Sequence, residues 1–115
     1  MSEAFFNAVQ SRRSHYGLSK VSTIPDKKLQ LLVMKAVKHA PSPFNVQSGR
    51  AVIVLGKQND RLWDITKTGF LKTLDNEGAI KLFTKKMDEY AAGYGTVLFF
   101  EDTAVIQAMA DQKPG

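Results

Sequence analysis

The amino-acid sequence predicts an α+β (mixed α/β) fold, a central sheet flanked by helices. Three observations lead there. Two short apolar runs, "AVIVLG" (Ala51–Gly56) and "GTVLFFED" (Gly95–Asp102), have the length and side chains of buried strands. The segments around them space their apolar residues at helical intervals. Strands separated by helical crossovers share one sheet in such layouts.

Taken in order, Phe5, Phe6 and Val9 suit a short amphipathic helix ending near "RRS", Arg12–Ser14. A loop containing Gly17 follows. In "TIPDKKLQLLVMKAVKHA", Thr23 is placed to cap a second helix, with Pro25 and Asp26 in its first turn. Its apolar stripe is Leu29, Leu32, Val33, Ala36, Val37 and Ala40. Pro41 and Pro43 disfavour helical geometry at Ala40 and Ser42, so the helix stops there. After the first strand, Leu62, Ile65, Phe70 and Leu74 give a weaker helix from about Asp60, interrupted at Gly69. Ile80, Phe83, Met87 and Tyr90 give a further one from Asn76 to Ala92. Trp63 and the Phe99–Phe100 pair are expected in the core, and Thr103–Asp111 begins a last helix. Two strands make a poor sheet, because edges and apolar faces stay uncovered. The expectation is that another chain, or a second half, completes it.

Composition narrows the function. The chain has 115 residues, 43% hydrophobic and 23% charged, which suits one folded domain over 1–115. Without cysteine it has no disulfides, thiolate metal sites or cysteine nucleophile. No apolar run approaches the roughly 18 residues of a membrane span, and "MSEAFFNAVQSRR" lacks a signal-peptide layout. A cytoplasmic protein that does not engage a membrane is expected. Net charge is +5, unevenly placed: residues 1–50 hold eight Lys/Arg against two Asp/Glu. That bias suits an anionic ligand or a solvated basic face. A nucleic-acid-binding module is the weaker reading, because the cations are scattered and no aromatic–basic motif accompanies them.

Two stretches carry chemistry. In "RRSHY", Arg12, Arg13 and Ser14 can grip a phosphate, since guanidinium forks and a hydroxyl all donate. The same cations would also complement a helix C-terminus. In "HAPSPFNVQSGR", Pro41 and Pro43 are expected to hold the loop extended and keep the backbone of Ser42 and Phe44 from helical bonding. Asn45 and Gln47 each offer donors and acceptors, suited to a flat heterocycle or to sugar hydroxyls; a solvated turn fits equally. Arg50 adds a cation at the strand's start. His15 and His39 are too isolated for a metal site, and no Ser/His/Asp arrangement can be assembled. "AAGYGT" precedes a strand, so it lacks the context of a phosphate-binding glycine loop.

Together, "SRRSHYGL" and "APSPFNVQSGRAVIVLG", followed by "RLWDI" and "YAAGYGTVLFFED", resemble the nitroreductase family of flavoproteins, in its small fungal and bacterial branch. The resemblance covers essentially the whole chain. It implies bound FMN, reduced by NADH or NADPH in a ping-pong cycle that passes electrons to nitroaromatics, quinones or similar small aromatic acceptors. It implies a homodimer with the flavin at the interface. Carried over by position, Arg12 and Ser14 hold the FMN phosphate and ribityl chain with Arg13 assisting. Pro41, Ser42, Pro43 and Asn45 line the flavin, Gln47 reaches its polar atoms, and Arg50 supports the loop from outside. The flavin does the chemistry, so no catalytic side chain is required. Family chains are considerably longer, which suggests that these residues are the N-terminal part of such a fold. A flavin-fold ligand-binding or sensing protein without turnover would keep the same motifs.

Overall fold

Residues 2–112 are described by a computed structural model. Five helices and two strands follow in order: α1 (Ser2–Ser11), α2 (Asp26–His39), a 3-10 turn at Pro43–Asn45, β1 (Gly49–Leu55), α3 (Gly56–Leu71), α4 (Glu77–Ala91), β2 (Gly95–Glu101) and α5 (Thr103–Gln112). β1 and β2 pair antiparallel, with Gly49 opposite Glu101, Val52 opposite Leu98 and Leu55 opposite Gly95. The connection dictates this sense. α3 leaves the end of β1 and α4 returns beside it, so the chain re-enters the sheet where it left.

α3 and α4 hold together through apolar and ionic contacts. The Phe70 and Phe83 rings meet edge-on at 5.2 Å, Trp63 and Tyr90 stack tilted at 5.7 Å, and Lys67 pairs with Asp88 at 2.6 Å. Asn76 caps α4, its side chain accepting from the Ala79 amide at 3.1 Å, one of the donors a helix start leaves unbonded. α3 begins directly at Gly56, whose φ of 56° turns the chain out of the strand. That is earlier than the sequence pattern predicts, because the polar run "GKQND" carries no apolar period.

α2 packs on β1 through a narrower stripe than expected. Leu29, Val33 and Val37 are half-buried, one turn apart, whereas Leu32, Ala36 and Ala40 are exposed. Thr23 is not its cap: Pro25 precedes the first turn in extended geometry, with no side-chain cap. At the other end Ala40 is extended ahead of Pro41, as proline requires.

The loop from α1 to α2 is strapped to the far end of the sheet. Lys20 bonds Asp60 and the Ala91 carbonyl, both at 2.7 Å, and the Tyr94 hydroxyl donates to Asp26 at 2.6 Å.

Among the described residues no apolar side chain is fully buried. The expected core is corrected accordingly. Trp63 is half-buried against α4 and β2, but Phe99 is 72% and Phe100 51% exposed. Adjacent strand residues face opposite sides of the sheet, and both rings stay exposed. Among the described residues the fully enclosed side chain is polar: Asn59 on α3, whose Oδ1 accepts from Thr96 Oγ1 at 2.6 Å. Thr96 in turn accepts from Trp63 Nε1 at 3.0 Å, so one polar chain ties α3 to β2. No helix among the described residues is long and apolar enough to cross a membrane.

Candidate cofactor site

The loop after α2 is a built turn, not the extended segment its prolines predict. Ser42 is extended (φ −136°, ψ 147°), but Pro43 then starts a single 3-10 turn, a position where its missing N–H costs nothing. The Asn45 amide donates to the Ser42 carbonyl at 3.0 Å and the Val46 amide to the Pro43 carbonyl at 3.1 Å. Ser42 also uses its hydroxyl, which accepts from the Gln47 amide at 3.0 Å. Three non-glycine residues sit in the left-handed region: Phe44 (φ 52°), Asn45 (φ 53°) and Gln47 (φ 53°). Such geometry is uncommon outside glycine and persists only where surrounding structure imposes it. The side chains of Asn45 and Gln47 are exposed.

Arg50 braces this turn from behind. Its Nη1 donates to the carbonyls of Gln47 (2.9 Å) and Gly49 (3.0 Å), while Nη2 pairs with Asp102 at 3.1 Å. Ser48 is buried at 4% exposure and donates to Glu101; the Asp102 amide donates to the Ser48 carbonyl at 2.8 Å. Ser48, Glu101 and Asp102 give no signal in the linear sequence, because they meet only through the antiparallel register.

The "RRS" segment follows α1 and is exposed throughout. Arg12 Nη1 donates to Ser14 Oγ at 3.4 Å, which places a guanidinium and a hydroxyl side by side. Arg13 Nη1 donates to the carbonyls of Gln10 (2.6 Å) and Arg12 (2.9 Å), so it closes the C-terminal turn of α1. The bonds of these guanidiniums stay within three residues, and those of the loop lead toward β2. Along the chain the two stretches are joined through α2.

This donor set fits a phosphorylated flavin. Arg12 and Ser14 supply cationic and neutral donors for a phosphate, and two exposed carboxamides stand on a fixed turn for a heterocycle's edge. Two open grooves flank β1, one of about 830 Å³ against α2 and one of about 560 Å³ against α3. Arg50 lines the first, and residues 41–47 line neither. No group of three or more acidic or histidine residues suited to a metal occurs among the described residues.

A sequence model of the nitroreductase family matches residues 9–114, nearly the entire chain. The chain belongs to the nitroreductase family. Nitroreductase FRM2 of Saccharomyces cerevisiae is 31% identical over 114 residues, which are 96% of this chain and 54% of the relative. The nitroreductase CinD of Lactococcus lactis, solved with chloramphenicol, superposes with a TM-score of 0.76 at 32% identity, over 94% of this chain and 53% of that one. A nitroreductase structure from S. cerevisiae gives a TM-score of 0.77 at 24% identity, over 97% of this chain and 60% of that one, and shares the fold. The chain spans about half the length of the relatives it matches. The mixed α+β fold expected from the sequence is thus that of the nitroreductases, represented by its N-terminal part.

Proposed function

We propose that this nitroreductase-family chain binds FMN and serves an NADH- or NADPH-dependent oxidoreductase acting on nitroaromatic, quinone or related small aromatic acceptors. The observation that carries the reading is the Ser42–Gln47 turn, whose left-handed residues are held by Ser42 and Arg50. A strained turn that exposes two carboxamides is the kind of backbone retained where a ligand is held. Arg12 and Ser14 anchor the phosphate, with Arg13 securing the end of the helix before them. Pro41, Ser42, Pro43 and Asn45 form the wall along the ring, and Gln47 reaches its polar edge. Bound FMN supplies hydride acceptance from the nicotinamide and electron delivery to the acceptor in a second half-reaction, so no side chain serves as nucleophile or base. Because both stretches are open to solvent, the complete site is formed in a homodimer, with the flavin between the subunits. The compartment in this reading is the cytoplasm.

Absorbance spectra of the purified chain, taken before and after NADPH, test the proposal. Flavin bands that bleach with NADPH and return with a nitroaromatic are expected. Failure to take up added FMN would reject cofactor binding; bound flavin that NADPH leaves oxidised would reject turnover and leave a flavin-binding protein. Arg12→Ala is expected to weaken FMN about tenfold, the scale of one charge-assisted phosphate bond, while Arg61→Ala on α3 leaves it unchanged. Equal retention by both variants would refute the phosphate role.

A further inference from the structure

The backbone of Gln47 is gripped on both sides. Its amide donates to Ser42 Oγ at 3.0 Å, and its carbonyl accepts from Arg50 Nη1 at 2.9 Å. Gln47 has a φ of 53°, so its left-handed geometry must be imposed by these partners. Ser42 belongs to the same turn and moves with it. Arg50 does not: its second nitrogen is anchored at 3.1 Å to Asp102, 52 residues further along the chain.

Asp102 is itself fixed three ways. Its amide donates to the Ser48 carbonyl at 2.8 Å, its Oδ1 accepts from the Ala104 amide at 3.1 Å at the start of α5, and its Oδ2 holds Arg50. Glu101 beside it is engaged with Ser48 Oγ and has no bond to Arg50 or Gln47. The carboxylate of Asp102 therefore acts as a post, and Arg50 as the strut from that post to the Gln47 carbonyl.

We propose that Asp102 is a positioning residue: through Arg50 it fixes the left-handed backbone of Gln47 and so aims the Gln47 carboxamide at the ligand. Asp102 touches no ligand in this arrangement. The arm of the inference that concerns FMN rests on the proposed function; the arm that concerns the Gln47 backbone does not. An exposed ion pair adds little to global stability, so the effect belongs to loop geometry and not to the melting temperature.

Asp102→Asn separates the roles, because the carboxamide oxygen still accepts from the Ala104 amide while the charge that holds Arg50 is gone. In the ligand-free chain, backbone couplings and amide exchange of Gln47 are read by nuclear magnetic resonance. The variant is expected to shift the Gln47 coupling out of the left-handed range and speed its exchange about tenfold, as local opening does. Asp88→Asn, which loosens a distant ion pair between α3 and α4, leaves both unchanged. FMN affinity is then measured in a double-mutant cycle. Asp102→Asn weakens FMN about fivefold in the native background and less than about twofold when Gln47 is already alanine. An unaltered Gln47 coupling overturns the proposal, as does an equal loss of FMN in both backgrounds. A native chain that takes up no FMN rejects the cofactor reading instead, and the Gln47 measurement still decides the positioning role.

Discussion

Tyr94 stands in the short turn between α4 and β2, and its hydroxyl donates to Asp26 at the first turn of α2, 2.6 Å away. The bond to the Asp26 carboxylate, with minor help from desolvation and from that negative charge, raises the phenol above its ordinary value of 10.0. A proton held more tightly in the folded chain stabilises fold below the ordinary tyrosine range. That contribution is lost as pH climbs through the raised value. Ultraviolet titration of phenolate should therefore show a late ionising step, and Tyr94→Phe should abolish it. If the step persists in the variant, the tether of α2 to this turn is not made in solution. Lys20 crosses to Asp60 and to the end of α4 nearby, so the segment that presents Arg12 and Ser14 has a second strap and does not depend on Tyr94 alone.

At the scale of elements, the Leu55–Gly95 end of the β1–β2 pair has no room for a side chain at Gly95. Gly95 pairs with Leu55, and a Cβ added to it would overlap the Leu55 side chain and lie 2.7 Å from the Val54 carbonyl. Backbone cannot yield as a flexible side chain does. Gly95→Ala is expected to destabilise the fold by about 2 kcal/mol, the usual scale of overpacking, measured by urea unfolding. An unchanged midpoint would mean that the strand ends splay without cost. The strands themselves were legible in "AVIVLG" and "GTVLFFED", because continuous β-branched and aromatic runs need no partner to be recognised. The Pro41 stop of α2 was legible because a breaker acts over a few residues, whereas Thr23, the expected cap, is not one. What escaped is set by distance along the chain. Nothing near Asn59 in "GKQNDR" announces that it is enclosed, since its partner Thr96 comes from β2, 37 residues further along the chain. Nor do prolines announce a left-handed turn; Pro43 permits a 3-10 start as readily as an extended run. The two motif stretches were visible as chemistry, while the bracing of one by the end of β2 required the register.

Taken as a whole molecule, the chain leaves its apolar surface unspent. The radius of gyration is 18.4 Å, against about 13 Å for a compact chain of this length. Phe5, Phe6 and Val9 of α1 are exposed, Leu31 and Met34 of α2 stand exposed along the open groove toward β1, and Phe99 faces solvent from the sheet. Among the described residues β1 has β2 as its one strand partner, and open grooves run along it on the α2 and α3 sides. A lone pair of strands is marginal in water, and exposed apolar side chains in this number favour a covering partner. Burial of such surface yields about 25 cal/mol per Å², a drive toward association. The 115-residue chain is accordingly expected to sediment as a dimer at micromolar concentration. Its melting temperature should rise with protein concentration, because binding between folded copies draws the equilibrium away from the unfolded chain. Dilution should then release FMN as the dimer parts, if the cofactor lies between subunits. A monomer whose melting temperature ignores concentration would refute the association; a dimer that dilutes to monomers without losing FMN would keep the assembly and remove the flavin from its interface.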